Sequence, residues 1–333
     1  MDINEIARLA GVSRTTVSRY LNDGYVSKQK RELIAQVIEE TGYVPSQHAQ
    51  RLRTRRTGLV GVVIPKINSQ SVSRMVAGIT EVMSEHNYQV VLANTHNDVN
   101  TEIEYLKTFS GRKQVDGIIL IATVITKEHL QILDRTRLPL VVLGQELQGS
   151  PCVYHNNYRA VYDITSLALK SSRHPGFLGV FEEDIAAGQQ RHKGFLDACH
   201  DANIEPKPLA QVIAGFDADS GYFAAEQVLF DVPEVDTLVC ATDDIAFGAM
   251  MCMAEYRKGV PENVQVTGIG DSLLSRIARP SLTTANLHFK TSGIEAAKLL
   301  LEQLATGKKT KGHMEISYEV HVRNSSRSSN TTK

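Results

Sequence analysis

Apolar side chains recur at three- and four-residue spacing through residues 3–38, then give way to short Val/Ile/Leu runs separated by amphipathic stretches. The first pattern is helical. Asp2 followed by Glu5 has the form of a capping box, and Ile3, Ile6, Ala7 and Ala10 continue on one face. Gly11 stops that helix, Ser13 caps a second from Arg14 to Leu21, and Asn22-Asp23-Gly24 is a turn. Ser27 caps a third, whose stripe is Leu33, Ile34, Val37 and Ile38 and whose end is Thr41-Gly42. Three short helices, the first two joined by a Gly-Val-Ser turn, describe a helix-turn-helix head.

From residue 58 the pattern is that of buried strands and amphipathic helices in alternation. Leu59–Pro65, Gln89–Ala93, Gly117–Ala122 and Pro139–Leu143 read as strands, with Ser73–Glu85, Glu102–Ser110 and Lys127–Asp134 as the helices between them. The cycle resumes with strands at Gly176–Phe181, Leu209–Ile213, Thr237–Ala241 and Gln265–Ile269. Helices at Gly188–Ala202, Asp219–Phe230 and Ile245–Lys258 separate them. Repeated strand–helix units imply an α/β body of parallel, doubly wound sheets, and so many strands imply two lobes rather than one sheet.

Composition changes this picture in only a few places. A chain of 333 residues, 42% hydrophobic and 22% charged, is an ordinary globular mixture with room for two or three domains. No apolar run approaches the ~18 residues of a membrane span, and Met1-Asp2-Ile3-Asn4-Glu5 is no secretory leader, so a cytoplasmic location without membrane contact is expected. Cys152, Cys199, Cys240 and Cys252 lie far apart with no C-x-x-C pair, which predicts neither a disulfide framework nor a zinc site; no cofactor is expected. The net charge of −1 conceals an asymmetry. Residues 1–57 hold ten basic and six acidic residues and carry +4, leaving −5 on the remainder. The positive charge peaks at Arg51, Arg53, Arg55 and Arg56, the profile of a polyanion-binding head on an acidic body.

On the second helix Val17 and Leu21 face inward, leaving Arg14, Thr15, Thr16, Ser18 and Arg19 outward. Arg can grip guanine bidentately in the major groove and Thr can meet a thymine methyl, so this face suits double-stranded DNA. The run Ile6-Ala7-Arg8-Leu9-Ala10-Gly11-Val12-Ser13-Arg14-Thr15-Thr16-Val17-Ser18-Arg19-Tyr20-Leu21-Asn22 resembles the headpiece of the lac/gal repressor family. So do Thr41-Gly42-Tyr43-Val44-Pro45 and Ala49-Gln50-Arg51-Leu52, and the likeness continues to about residue 323. The resemblance implies a head at 1–44, a hinge helix and linker at 45–57, and a periplasmic-binding-protein-like core at 58–323. Its first lobe would span about 58–170 and 287–315, its second about 171–286 and 316–323. The Ser/Thr/Asn-rich tail, 324–333, is expected to be disordered.

The same resemblance implies roles. Arg14, Thr15 and Arg19 would read bases, with Ser13, Thr16 and Ser18 beside them; Ala49, Leu52 and Arg53 would act from the hinge helix, Leu52 as a minor-groove wedge. Effector positions fall on Ser69, Ser71, Val72, Tyr158, Arg191, Thr242, Asp271 and Phe289, in loops at the carboxyl ends of strands. Ser69-Gln70-Ser71-Val72, Thr242-Asp243 and Gly270-Asp271 depart from the commonest family residues. They look most similar to sucrose-operon repressors of Gram-positive bacteria. The implied protein is a homodimer on a pseudo-palindromic operator, released by a sugar or sugar phosphate, with no tetramer-forming heptads after Tyr318–Val322.

Alternatives differ in recognisable ways. A periplasmic-type sugar receptor would share the body but lacks a use for residues 1–57. An enzyme is disfavoured, since no G-x-S-x-G, P-loop or helical His-x-x-x-His occurs, and Leu273 stands where a dinucleotide motif beginning at Gly268 needs its third glycine. A corepressor-dependent or partner-controlled regulator differs only in which lobe arrangement its ligand favours.

Overall fold

The computed structural model describes residues 2–21, 24–43, 56–111, 114–310 and 312–327. The chain divides into two compact units, Met1–Gly58 and Leu59–Lys333. The first holds α1 (Ile3–Leu9), α2 (Arg14–Tyr20) and α3 (Lys28–Thr41). The Asp2 carboxylate accepts the N–H groups of Asn4 and Glu5, both at 2.9 Å, satisfying donors that the first turn of α1 leaves open. Ile6, Val17 and Ile34, one from each helix, are fully buried against one another. Ser27 stands at the N-cap of α3, but its side chain makes no capping bond among the described residues. The expected hinge helix, with Ala49, Leu52 and Arg53, lies outside the described residues, as do Asn22 and Asp23.

The second unit contains two six-stranded sheets. In chain order its elements begin β1 (Leu59–Ile64), α4 (Gln70–Glu85), β2 (Gln89–Asn94), α5 (Val99–Gly111), β3 (Gly117–Ile121), α6 (Lys127–Arg135), β4 (Leu140–Gly144) and β5 (Cys152–His155). After α7 (Asn157–Leu169) come β6 (Pro175–Gly179), a π-helical turn (Ile185–Gln190), α8 (Arg191–Asp201), β7 (Gln211–Ile213), α9 (Ala218–Asp231), β8 (Thr237–Cys240) and α10 (Asp243–Glu255). The chain closes with β9 (Gln265–Ile269), α11 (Leu273–Ile277), β10 (Thr283–Asn286), α12 (Phe289–Thr306), β11 (His313–Ile316) and β12 (Glu319–His321). The first sheet has the order β11-β5-β4-β3-β1-β2 and is parallel throughout. The second, β12-β10-β9-β8-β6-β7, is parallel except for β12, which runs antiparallel to β10 at the edge. Runs such as Gly117–Ile121 are buried at every position, because helices cover both faces of a parallel sheet.

Three chain crossings join the lobes, at 155–157, 287–288 and 317–318. The first corrects the expected boundary near residue 170. Helix α7 packs on α8, β9, β10 and β12, so it belongs to the second lobe. Asn156 caps it directly after β5, accepting the Arg159 N–H at 2.9 Å, and the buried face Ala160, Val161 and Ile164 turns onto the second lobe. Helix α12 packs on α4 and on β3, β4 and β5 in the first lobe.

The expected disorder of the tail is corrected for Asn324–Arg327. Ser325 and Ser326 are buried, and the Ser325 hydroxyl donates to Val266 O at 2.6 Å. The Arg327 guanidinium donates to the carbonyls of Ser171 (2.7 Å), Pro261 (3.1 Å) and Asn263 (3.1 Å), strapping the tail to two segments of the second lobe. No helix among the described residues is long and apolar enough to cross a membrane. Arg327→Met leaves these carbonyls without their charged donor and is expected to lower unfolding free energy by about 1–3 kcal/mol. Urea unfolding against wild type checks this; equal midpoints would show that the strap adds nothing.

Candidate DNA-reading face and effector cleft

The head presents a polar helix face whose rigidity comes from its cap. Ser13 Oγ accepts the Thr16 N–H at 3.2 Å and lies 2.9 Å from Thr16 Oγ1, so these two hydroxyls hold each other at the start of α2. Arg14, Thr15 and Arg19 are exposed, Thr16 and Ser18 partly so. Buried Val17, packed among Ile6, Ala7, Ala10 and Ile34, fixes which way that face turns.

In the second unit, the carboxyl ends of both sheets open onto one cleft between the lobes, about 1080 Å³ of atom-free space including its mouth. Ser69, Ser71, Val72, Arg191, Thr242 and Phe289, six of the positions that the family resemblance implies, line it. Ser69 is the N-cap of α4 and sits 3.0 Å from the Ser71 hydroxyl. Thr242 caps α10, its Oγ1 accepting the Ile245 N–H at 3.2 Å.

Arg191 is the buried polar centre of the second lobe. Its Nε donates to Asn157 Oδ1 at 2.8 Å and its Nη1 to Ala241 O. Burial pulls its pKa down to about 10, opposed by the nearby Asp184 and Asp243 carboxylates, so it remains cationic at neutral pH. The approach of α7 to α8 that brings Asn157 within reach depends on Gly194, where a Cβ would stand 2.4 Å from Tyr158 O. Beside Arg191, His155 is buried, packs edge-on against Phe289 with centroids 5.0 Å apart, and has its pKa lowered to about 3 by burial and by the charges of Arg191 and His288. It is a neutral imidazole, and its Nε2 has no partner among the described residues.

Two expected effector residues are corrected. Tyr158 lies outside the cleft; its hydroxyl donates to Asp197 at 2.9 Å on the outer side of α8, and Asn157, one residue earlier, faces the cleft instead. One step along a helix turns a side chain by about 100°, which decides the matter. Asp271 is buried behind the cleft wall, with its carboxylate clamped by Arg276 (2.5 Å) and Arg323. The backbone accounts for this: Asp271 has φ +50° and follows Gly270 at φ +145°. Burial opposes its ionisation, but the two guanidinium hydrogen bonds outweigh burial and hold the carboxyl at about 2.

The cleft carboxylates are Asp184, Asp243 and Asp244. Asp184 accepts the Ala187 N–H at 2.9 Å at the start of the π-helical turn, and Asp243 accepts the Ser272 N–H at 2.7 Å and the Thr284 hydroxyl at 2.5 Å. Burial raises all three pKa values. Asp184, Asn157, His155 and the wall aromatic Phe216 were not singled out in the sequence. Only Asp184 carried a signal, as an acidic N-cap ahead of the helix that bears Arg191.

Residues 2–46 match the model of bacterial regulatory proteins of the lacI family, and residues 165–326 match a periplasmic binding protein-like domain. The chain is 34% identical over 304 residues to the sucrose operon repressor of Staphylococcus xylosus, covering 91% of this chain and 93% of that one. It is 30% identical over 306 residues to the transcriptional regulator RegA of Clostridium saccharobutylicum, covering 91% and 92%. Among solved structures, a complex of the transcriptional regulator CelR with cellobiose aligns at TM-score 0.74 and 28% identity, covering 98% of this chain and 99% of that one. A lac repressor dimer bound to operator aligns at TM-score 0.89 and 23% identity, covering 98% of each, which shows the fold.

Because Asp271 is held at about 2, below the ~3.9 of a free aspartate, its stabilisation is complete above pH 4 and is lost as pH falls towards 2. Asp271→Asn is therefore expected to cost about 1–3 kcal/mol at pH 7, by urea unfolding, with the deficit shrinking as pH falls through that window. A deficit that stayed constant with pH would contradict this role.

Proposed function

The chain belongs to the lacI family of bacterial regulatory proteins, and from that premise we propose that it represses an operon for the use of sucrose or a closely related sugar. It is a DNA-binding repressor with a sugar effector, and its curated relatives are transcription regulators. The observation that carries the effector reading is the cleft, where a buried cationic Arg191, neutral amide and hydroxyl groups and carboxylates converge beside aromatic rings. Sugar hydroxyls both donate and accept, so a polyol satisfies such a mixed wall, and its ring faces lie well against Phe216 and Phe289. The sucrose assignment is supported by the likeness to the Staphylococcus xylosus repressor.

In this reading Arg14, Thr15 and Arg19 meet base edges in the major groove of operator DNA in the cytoplasm, with Ser13 and Thr16 holding the helix that carries them. Two chains act together, as a pseudo-palindrome requires. The dimer surface is the outer face of α9 and α10, where Phe223, Phe230 and Met251 are 65%, 66% and 59% exposed. Tyr222 to Glu255 (2.8 Å) and Tyr256 to Glu226 (2.6 Å) bind the two helices into one slab. Helix α10 begins at Thr242 and Asp243 in the cleft and carries Met251 on the dimer face. A sugar that repositions its first turn therefore acts on the same rigid element that sets the partner's position.

Operator binding at fixed salt, titrated with sucrose, sucrose 6-phosphate, fructose and fructose phosphates, tests the proposal. Release by one sugar is expected; tight binding that none of them alters would remove the sucrose assignment. Arg191→Met is expected to abolish release while leaving operator affinity within about threefold, since Arg191 lines the cleft and lies in a different unit from the base-reading head. Arg19→Ala is expected to relax preference at one or two operator positions, at roughly 1–3 kcal/mol per lost bidentate contact. Met251→Asp is expected to give a monomer in sedimentation with operator affinity lowered at least tenfold.

A further inference from the structure

One side chain spans the cleft from lobe to lobe without belonging to the expected effector set. Arg74 leaves α4 in the first lobe and reaches the loop after β9 in the second. There its Nη1 donates to Asp271 O at 3.2 Å and its Nη2 to Gly270 O. Its guanidinium carbon lies 5.0 Å from the centroid of Phe289, beside the second chain crossing. Its Nε is buried with no partner among the described residues, and the side chain lines the cleft.

The loop that receives Arg74 has its other polar groups committed within its own lobe. Gly270 N–H donates to Ala285 O at 2.8 Å, and Asp271 N–H to Thr284 Oγ1 at 3.2 Å. The Asp271 carboxylate is held from behind by Arg276 and Arg323. With both residues at positive φ, the two successive carbonyls are what this loop offers to Arg74. A second hydrogen bond across the cleft, Gln145 Nε2 to Asp184 Oδ1, is long at 3.5 Å, and Lys66 attracts Asp244 and Asp217 only through space. Hydrogen bonds from a cation to carbonyls in a half-buried setting are stronger than neutral ones, and here two act together on one fork.

We infer that Arg74 is the positioning residue that holds the two lobes closed across the effector cleft, and that effector affinity depends on this latch. A ligand seated on Arg191 and Asn157 meets a wall already drawn to its other side, so it need not itself supply the energy of closure. The spare Nε–H additionally favours a ligand with an acceptor oxygen on the first-lobe side. The affinity arm of this inference rests on the cleft being the sugar site; the closure arm does not.

The test uses the full-length dimer. All four native cysteines are buried, so spin labels can be placed at Glu104→Cys in the first lobe and Glu183→Cys in the second, diluted with unlabelled chain. In the absence of sugar, Arg74→Met is expected to lengthen and broaden the interlobe distance, and Arg74→Lys, which keeps a cationic donor, to restore most of it. The sucrose concentration for half release from operator is expected to rise about tenfold or more in Arg74→Met and less in Arg74→Lys. Gly270→Ala is the second variant: it retains Arg74 but puts a Cβ 3.3 Å from the Asp243 carboxylate at a φ that strains alanine, and is expected to open the lobes as Arg74→Met does. Distance distributions that superimpose on wild type in both variants would overturn the latch. Opening without any change in sugar response would overturn its coupling to affinity. If sucrose releases neither wild type nor variants, the sucrose assignment fails while the distances still decide the latch.

Discussion

A guanidinium placed in a protein interior must be given acceptors, and much of the second lobe is arranged around doing so for Arg191. Its Nε requires Asn157, which requires α7 to start at the first chain crossing and to lie tightly on α8. Its Nη1 requires the end of β8 to present the Ala241 carbonyl. Gly194 permits that helix packing, and Phe195, fully buried against Phe177 with centroids 5.2 Å apart, keeps α8 on the sheet. The Asp184 and Asp243 carboxylates favour its charge from nearby, while its hydrogen bonds go to neutral acceptors.

The same principle, applied in opposite senses, separates the two lobe walls. Asp271 is neutralised by two arginines behind the wall and gives its backbone carbonyl to Arg74 rather than its charge to the cleft. Asp243 is buried in the wall itself, its oxygens taken up by Ser272 and Thr284, and it anchors the first turn of α10. Because α10 carries the exposed apolar face at its far end, the cleft and the proposed dimer surface are two ends of one element. The three crossings at 155–157, 287–288 and 317–318 are short, so rotation between lobes is concentrated at a few residues. His155 and Phe289, in edge-on contact beside two of those crossings, line the cleft where the lobes meet.

Periodicity revealed the head helices, the early strands and the alternation that demands two lobes, because burial imposes the same spacing wherever these elements occur. It did not reveal that α7 leaves the lobe whose strand it follows, since an amphipathic helix reads identically against either sheet. Nor did it reveal β5, β10, β11 and β12, which at three or four residues are too short for a period to show. The tail misled for a related reason: Ser325, Ser326 and Arg327 have the composition of a disordered end, yet their hydrogen-bond partners lie some 60 residues away or more, at Val266, Pro261 and Ser171.

The family resemblance marked Ser69, Ser71, Val72, Arg191, Thr242 and Phe289, which line the cleft; the residues by themselves determined the kind of molecule, a basic helical head on an α/β body with polar loops at strand ends. Local rules suffice there, because capping, period and position at the carboxyl end of a parallel strand are properties of short segments. Only the tertiary structure decided which of Asn157 and Tyr158 faces the cleft, that Asp271 turns away from it, and that Arg74 crosses it. Those outcomes depend on helix phase against a neighbouring helix, on positive φ at Gly270 and Asp271, and on competition among arginines at 276 and 323 for one carboxylate. None of these is a property of any segment taken alone.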